Sequence, residues 1–287
     1  MQTTASAIKR ILVIRFSSAG DIILTSPVIR SLHRTLPDWE IHVLTLNEFA
    51  PLFSFSPHVC KVHSIDRSLN AGGLREYRNQ LLAAHGEFDV VLDLHASLRS
   101  RIVRHGLGRQ LLTIRKPTIR KKLLVWFGWN LLQPVRQIPL LYLDAARPLG
   151  VQDDGTGLEL FAGDSVSPLK PDCERPTWVL APGARHNTKA WPPAKWGELA
   201  RTLARSGDRV VLLGGPSEVD VCNRVMLESG VAHAIVNLAG STTLLQAAVT
   251  MDVATGVVAN DSALAHVAIA RGRPTVVIFG STVLDFG

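Results

Sequence analysis

Short apolar runs alternate with amphipathic stretches along both halves of the chain. In the first half this spacing predicts strands over residues 11–16, 41–46, 61–65, 89–93 and 111–114. Helices are predicted over 21–35, 74–85 and 97–105. The stretch 150–176 is rich in Gly, Pro, Asp and Ser and has no strong period. It reads as a linker, with one short strand over 158–161. Alternation then resumes, with strands over 177–181, 209–213, 235–237, 253–256 and 275–279. Helices follow over 193–206, 218–228, 243–249 and 262–270. Asp261 is the expected N-cap of the last helix, and Pro193 suits the first turn of its own. Strands separated by helices predict parallel βαβ units with right-handed crossovers, and hence an α/β chain with two domains split near residue 155.

Two segments stand out within this pattern. Ile11-Leu12-Val13-Ile14 leads into Arg15-Phe16-Ser17-Ser18-Ala19-Gly20-Asp21, and a later apolar run leads into Asn260-Asp261-Ser262-Ala263-Leu264-Ala265-His266. Each is a strand, a tight polar turn and the first turn of a helix. Such a junction gathers unpaired backbone N–H groups at the positive end of a helix dipole and suits anions. Asp21 reads equally as a helix-capping carboxylate or as a general base for an attacking hydroxyl. Lys189, with Arg185 in the same turn after a strand, can neutralise a phosphate or simply be a solvated loop lysine. Gly214-Gly215-Pro216-Ser217-Glu218 is either a plain turn or a place where Glu218 meets sugar hydroxyls. His266 reads as a helical histidine or as a contact for a diphosphate.

Composition narrows the partners. The 287 residues are 46% hydrophobic and 19% charged, which fits a globular protein with ample core. A net charge of +7 points to nucleic acid, an anionic membrane or a phosphorylated substrate. The charge is concentrated: residues 94–143 contain no Asp or Glu. They carry Arg99, Arg101, Arg104, Arg109, Arg120, Lys121 and Lys122, near Trp126, Phe127 and Trp129. That stretch suits anionic lipid headgroups, an acidic acceptor or nucleic acid, and otherwise is a solvated basic face. Cys60, Cys173 and Cys222 are scattered, and no His pair has ligand spacing, so neither a disulfide framework nor a metal site is expected. GxxxxGK[ST] and GxGxxG are both absent. No signal peptide or run of about 20 apolar residues is visible.

Taken together, Arg-Phe-Ser-Ser-Ala-Gly-Asp after the first strand, Lys189-Ala190-Trp191-Pro192, and Asn-Asp-Ser-Ala-Leu-Ala-His before Arg273-Pro274 and Phe279-Gly280-Ser281-Thr282 resemble the lipopolysaccharide heptosyltransferases of glycosyltransferase family 9. Asp93-Leu94-His95 followed by Leu98-Arg99-Ser100 is similar to a segment of that family's first domain. The resemblance implies a GT-B fold: two Rossmann-like domains with parallel sheets facing across a cleft. Residues 1–155 would be the acceptor-binding domain. Residues 156–287 would be the nucleotide-sugar-binding domain, truncated at its C-terminal end, because the family pattern runs some tens of residues further. It implies inverting, metal-independent transfer of heptose from ADP-L-glycero-D-manno-heptose to the inner core of lipopolysaccharide, with no cofactor. Asp21 would be the catalytic base. Ser18, Gly20, Arg185, Thr188, Lys189, Glu218, Asp261, Ser262, Ala263 and His266 would hold the donor. The acceptor would meet Arg99, Arg101, Arg120, Lys121 and Lys122. Many members carry Gly where this chain has Ala263. The implied protein is a monomer that binds no nucleic acid and sits peripherally on the cytoplasmic face of the inner membrane. Against this stand a non-catalytic membrane-associated binding protein of the same fold, a transferase for another nucleotide sugar, and, from charge alone, a nucleic-acid-binding α/β protein.

Overall fold

A computed structural model describes residues 9–115, 137–172, 174–184, 188 and 190–280. The chain divides into two compact units, with the boundary between Gly157 and Leu158.

The first unit is built on five parallel strands: β1 (Arg10–Ile14), β2 (Glu40–Leu46), β3 (Lys61–Ile65), β4 (Phe88–Asp93) and β5 (Gly108–Thr113), in the order β3-β2-β1-β4-β5. Its described residues also form helices α1 (Ala19–Ile23), α2 (Ser26–Thr35), α3 (Ala71–His85), α4 (Leu98–Arg104) and α5 (Ile138–Ala146). Ile11, Leu12, Val13 and Ile14 are wholly buried, as a central strand covered on both faces requires. Leu12 and Ile14 join Leu44, Ile65, Leu74, Leu81, Phe88 and Val103 in one core.

The second unit repeats the plan. Strands β6 (Thr177–Ala181), β7 (Arg209–Leu212), β8 (Ile235–Asn237), β9 (Gly256–Asn260) and β10 (Thr275–Ile278) lie in the order β10-β9-β6-β7-β8, again all parallel. Helices among its described residues are α6 (Pro193–Arg205), α7 (Val219–Ser229), α8 (Leu244–Asp252) and α9 (Ala263–Ala270). Trp196, Val210, Leu212, Cys222 and Val225 fill its core. In both units the first strand is central, the next two extend to one side and the last two to the other. The order therefore reverses between β1 and β4, and between β6 and β9. Ligands of open parallel sheets bind outside the carboxyl ends of the strands at such a switch point.

Four expectations need correction. The single helix over 21–35 is two, because Pro27 has no N–H to donate and falls in the first turn of a new helix. The hydroxyls of Thr25 and Ser26 take up the carbonyls of Ile22 and Ile23 at 2.6 and 2.8 Å. The strand expected over 253–256 is β9, displaced to Gly256–Asn260. Gly256 belongs inside the strand, since a Cβ there would lie 2.6 Å from the Trp178 ring. Residues 158–161 form no strand; the Leu160 carbonyl accepts instead from Arg271 Nη1 at 2.7 Å. Ser262, not Asp261, is the N-cap of α9. Helix α5 was not anticipated, because its Ile-Pro-Leu-Leu-Tyr-Leu run carries no 3.6-residue period.

Candidate active site

In the first unit the switch point is the turn from β1 into α1. Arg15 is the first residue beyond the buried strand and is itself buried, so its charge needs a partner. It has two. Nη2 meets Asp21 Oδ2 at 2.7 Å, and Nη1 donates to the Leu94 carbonyl at 2.7 Å. The guanidinium also lies over the buried Tyr142 ring, 5.6 Å from its centroid. Ser18 caps α1, and Asp21 reaches back to it: Oδ2 accepts from Ser18 N at 3.1 Å and from Ser18 Oγ at 2.9 Å. Both readings of Asp21 thus survive in one geometry. It caps the helix through Oδ2, while Oδ1 takes no hydrogen bond from a described residue, and 36% of the side chain is exposed. Burial alone pushes the Asp21 carboxyl up. The Arg15 charge and the two Ser18 bonds outweigh it and hold the group below the ordinary carboxylate range. Asp21 is therefore ionised at neutral pH. Gly20 is buried inside the same turn.

The neighbouring strand β4 ends on Asp93, which is wholly buried. Its Oδ1 accepts from His95 N and Ala96 N at 2.9 and 2.8 Å. Its Oδ2 accepts from Ser100 Oγ and Arg104 Nη1, both at 2.8 Å. This carboxylate shapes the Asp-Leu-His-Ala-Ser turn, and Arg15 ties that turn to Asp21 through Leu94. Two members of the basic stretch are committed locally: Arg104 to Asp93, and Arg109 to Asp89 at 3.3 Å. Arg99 donates to the carbonyls of Arg67 and Asp66 at 2.7 and 3.2 Å. Arg101 is exposed on α4. Arg120, Lys121 and Lys122 lie outside the described residues.

In the second unit three loops converge at the carboxyl edge. Asn260, wholly buried at the end of β9, donates from Nδ2 to the Pro182 carbonyl at 2.7 Å and accepts from Trp191 N at 3.2 Å. It thus fixes both ends of the loop that carries Arg185, Thr188 and Lys189. Thr188 is exposed; Arg185 and Lys189 lie outside the described residues. Glu218 closes a one-turn 3-10 helix (Pro216–Glu218), its Oε2 accepting from Gly215 N at 2.7 Å. Its carboxylate rests against Gly183, where a Cβ would fall 1.9 Å from Oε1. Asp261, Ser262, Ala263 and His266 are all half-buried at the start of α9. Ser262 Oγ is buried with no hydrogen-bond partner among the described residues, at the helix end where backbone N–H groups are unpaired. An anion seated there would accept from it.

Residues 143–286 match the family described as Glycosyltransferase family 9 (heptosyltransferase). The chain belongs to glycosyltransferase family 9. It is 27% identical to lipopolysaccharide heptosyltransferase 1 of Pseudomonas aeruginosa, over 95% of this chain and 79% of that protein. It is 28% identical to lipopolysaccharide heptosyltransferase 3 of Escherichia coli, over 92% and 80%. The solved structure of the Escherichia coli ADP-heptose lipopolysaccharide heptosyltransferase II aligns with a TM-score of 0.78 at 26% identity, covering 96% of this chain and 86% of that one. A family 9 glycosyltransferase from Veillonella parvula aligns equally well at 21% identity and shows the same fold. The two parallel α/β units are those of the GT-B fold, and the protein is a glycosyltransferase.

For a family 9 enzyme, the residues missed at the sequence level are those that hold the site rather than face outward. Arg15 and Asn260 are buried polar groups ending apolar strands, a signal legible in the sequence because such groups need partners. Gly183 and Tyr142 carried no signal, since their importance lies in residues distant along the chain.

Proposed function

We propose that this protein transfers heptose from ADP-heptose to the inner core of lipopolysaccharide, inverting the anomeric centre and using no metal in the transfer step. The named activities of the Pseudomonas and Escherichia relatives support the donor and acceptor class. The observation that carries the mechanism is Asp21: an ionised carboxylate held at a switch point by Arg15 and Ser18, with Oδ1 left to accept.

In an inverting displacement the acceptor oxygen attacks the anomeric carbon from the face opposite ADP. The new C–O bond forms as the bond to the diphosphate breaks. A resting hydroxyl is far too weak an acid for Asp21, so its proton moves to Oδ1 only as the oxygen bonds to carbon. The departing diphosphate gains charge, which the α9 N-terminus with Ser262 and Ala263, together with His266, Arg185, Thr188 and Lys189, would stabilise. Asp261 and Glu218 would orient the sugar and nucleoside. Ser18 and Gly20 would face the donor from the first unit. Residues 1–155 thus serve the acceptor and 156–287 the donor. The reading requires Asp21 to reach the sugar held by the second unit.

The acid-free stretch, with Arg99, Arg101, Arg120, Lys121 and Lys122, would meet the phosphorylated core. Arg101 is favoured over Arg99, whose guanidinium is already bonded to two carbonyls. No described helix is long and apolar enough to cross a membrane, and we assign a peripheral site on the cytoplasmic face of the inner membrane to a monomer. Asp21→Asn tests the core of the reading. Transfer, followed as ADP release with ADP-heptose and defined core acceptors, should fall by about 10²–10⁴ while ADP-heptose affinity is kept. Transfer retained in that variant rejects the role.

A further inference from the structure

Away from this site, the amino-terminal edge of the first sheet gathers an unusual set of side chains. Parallel pairing places His42 beside Lys61 and Leu44 beside His63, so both histidines project from the same face of β2 and β3. Glu40, two residues before His42, shares that face. Helix α3 runs back across it and delivers His85, in its last turn, to the same end. The His42, His63 and His85 rings are mutually in contact, with centroids 5.0–5.4 Å apart. Cys60 immediately precedes β3, and its N–H donates to the Ile41 carbonyl at 2.8 Å, which seats it alongside β2.

We propose that Glu40, His42 and Cys60 form a binding site for one divalent transition-metal ion of the zinc type. One donor atom from each of the three lies within 4.8 Å of the others. His42 Nε2 stands 3.5 Å from Glu40 Oε2. Two ligands on a tetrahedral zinc, each about 2.0–2.1 Å from the ion, stand about 3.4 Å apart. Nitrogen, oxygen and sulfur together are a zinc-like donor set, and a carboxylate with a thiolate balances the charge of the ion. Binding exchanges a proton for the metal: the Cys60 S–H bond breaks, a metal–sulfur bond forms, and one proton leaves to water.

The surroundings support the ligands. His42 Nδ1 lies 2.9 Å from His63 Nε2. With Nδ1–H donating to His63, the His42 lone pair falls on Nε2, the atom beside Glu40, which is the outer support a metal-bound imidazole uses. His63 is itself buried, with the rings of His42 and His85 packed against its own. A cluster of neutral histidines filling a core would account for His63 and His85. It leaves unexplained why a carboxylate and an exposed thiol both lie within ligand distance of His42. Linear spacing conceals the site, because two of its ligands lie on β2 and the third just before β3, across a long connection.

The test uses the full chain, stripped with chelator and titrated with Co2+ alone, then with Zn2+. One equivalent of Co2+ should bind with a sulfur-to-cobalt charge-transfer band in the near ultraviolet, and Zn2+ should remove the band. Cys60→Ser, at an exposed position, should abolish it without loss of fold. Glu40→Gln should weaken binding at least ten-fold, and His63→Asn should do so by 10–100-fold. Absence of the band, its survival in Cys60→Ser, or its loss in Cys173→Ser instead overturns the assignment.

Discussion

Replacing Arg15 by Met tests how the base is tuned. Methionine keeps most of the apolar stem within a buried position but removes the cation 2.7 Å from Asp21 Oδ2. Burial, the largest influence on Asp21 and an upward one, would then be opposed only by the two Ser18 bonds. An opposite charge in contact lowers a carboxyl by about one to three pH units. Asp21 is 36% exposed, and solvent screens the pair, so the lower end applies. The acid limb of kcat/KM, followed as ADP release, should therefore move toward neutrality by about one pH unit. Ser18→Ala, which removes one bond and no charge, should move it the same way by less. Stability follows the same sign. A carboxyl held low in the fold stabilises above its unfolded value near pH 4, and that contribution is lost as pH falls through the folded value. The stability gap between the parent and Arg15→Met should accordingly narrow in acid. An acid limb in folded Arg15→Met that superposes on the parent's would refute the tuning argument.

Three further outcomes are expected. Gly183→Ala would drive the Glu218 carboxylate out of place and cost its bond to Gly215, worth about 1.5–3 kcal/mol. Calorimetry with ADP should show at least ten-fold weaker binding, and an unchanged Kd would show that Glu218 does not serve the nucleoside. Gly197→Ala puts a Cβ 2.7 Å from the Glu228 backbone carbon and 2.8 Å from Ser229 N. Overpacking of about 1–3 kcal/mol should exceed the helix-propensity gain of about 1 kcal/mol, and urea unfolding that shows a stabilised variant contradicts this. His63 is neutral in the fold, so protonation of the unfolded chain should erode stability as pH falls from about 6.5 toward about 3. In His63→Phe the slope of stability against pH should flatten over that range, and an unaltered slope would show that His63 does not carry it.

The alternation of apolar runs located nine of the ten strands among the described residues to within a few positions, because a strand covered on both faces must be apolar throughout. It failed where local composition and tertiary role diverge. The expected strand ends on Gly256, whereas β9 begins there, at a position where the Trp178 ring leaves no room for a Cβ. The chain from Ile138 looked featureless because a helix apolar all round has no stripe to detect. Asp21, Ser18, Glu218 and the Asp261–His266 segment were legible as strand-to-helix turns. Their supports were not: Arg15 reaches Leu94, and Asn260 reaches Pro182, across 79 and 78 residues of sequence.

The crossing between the two units has its own anchors. On one side Arg30 grips Asp154 through Nε and Nη2, both at 2.7 Å, and holds the Gly157 carbonyl at 2.9 Å. On the other, Arg271 holds the Leu160 carbonyl while paired with Asp252. Only Leu158 and Glu159 lie between these clasps. Each clasp lies within one unit, so Arg30→Ala or Arg271→Ala would release only that unit's hold on the joining segment.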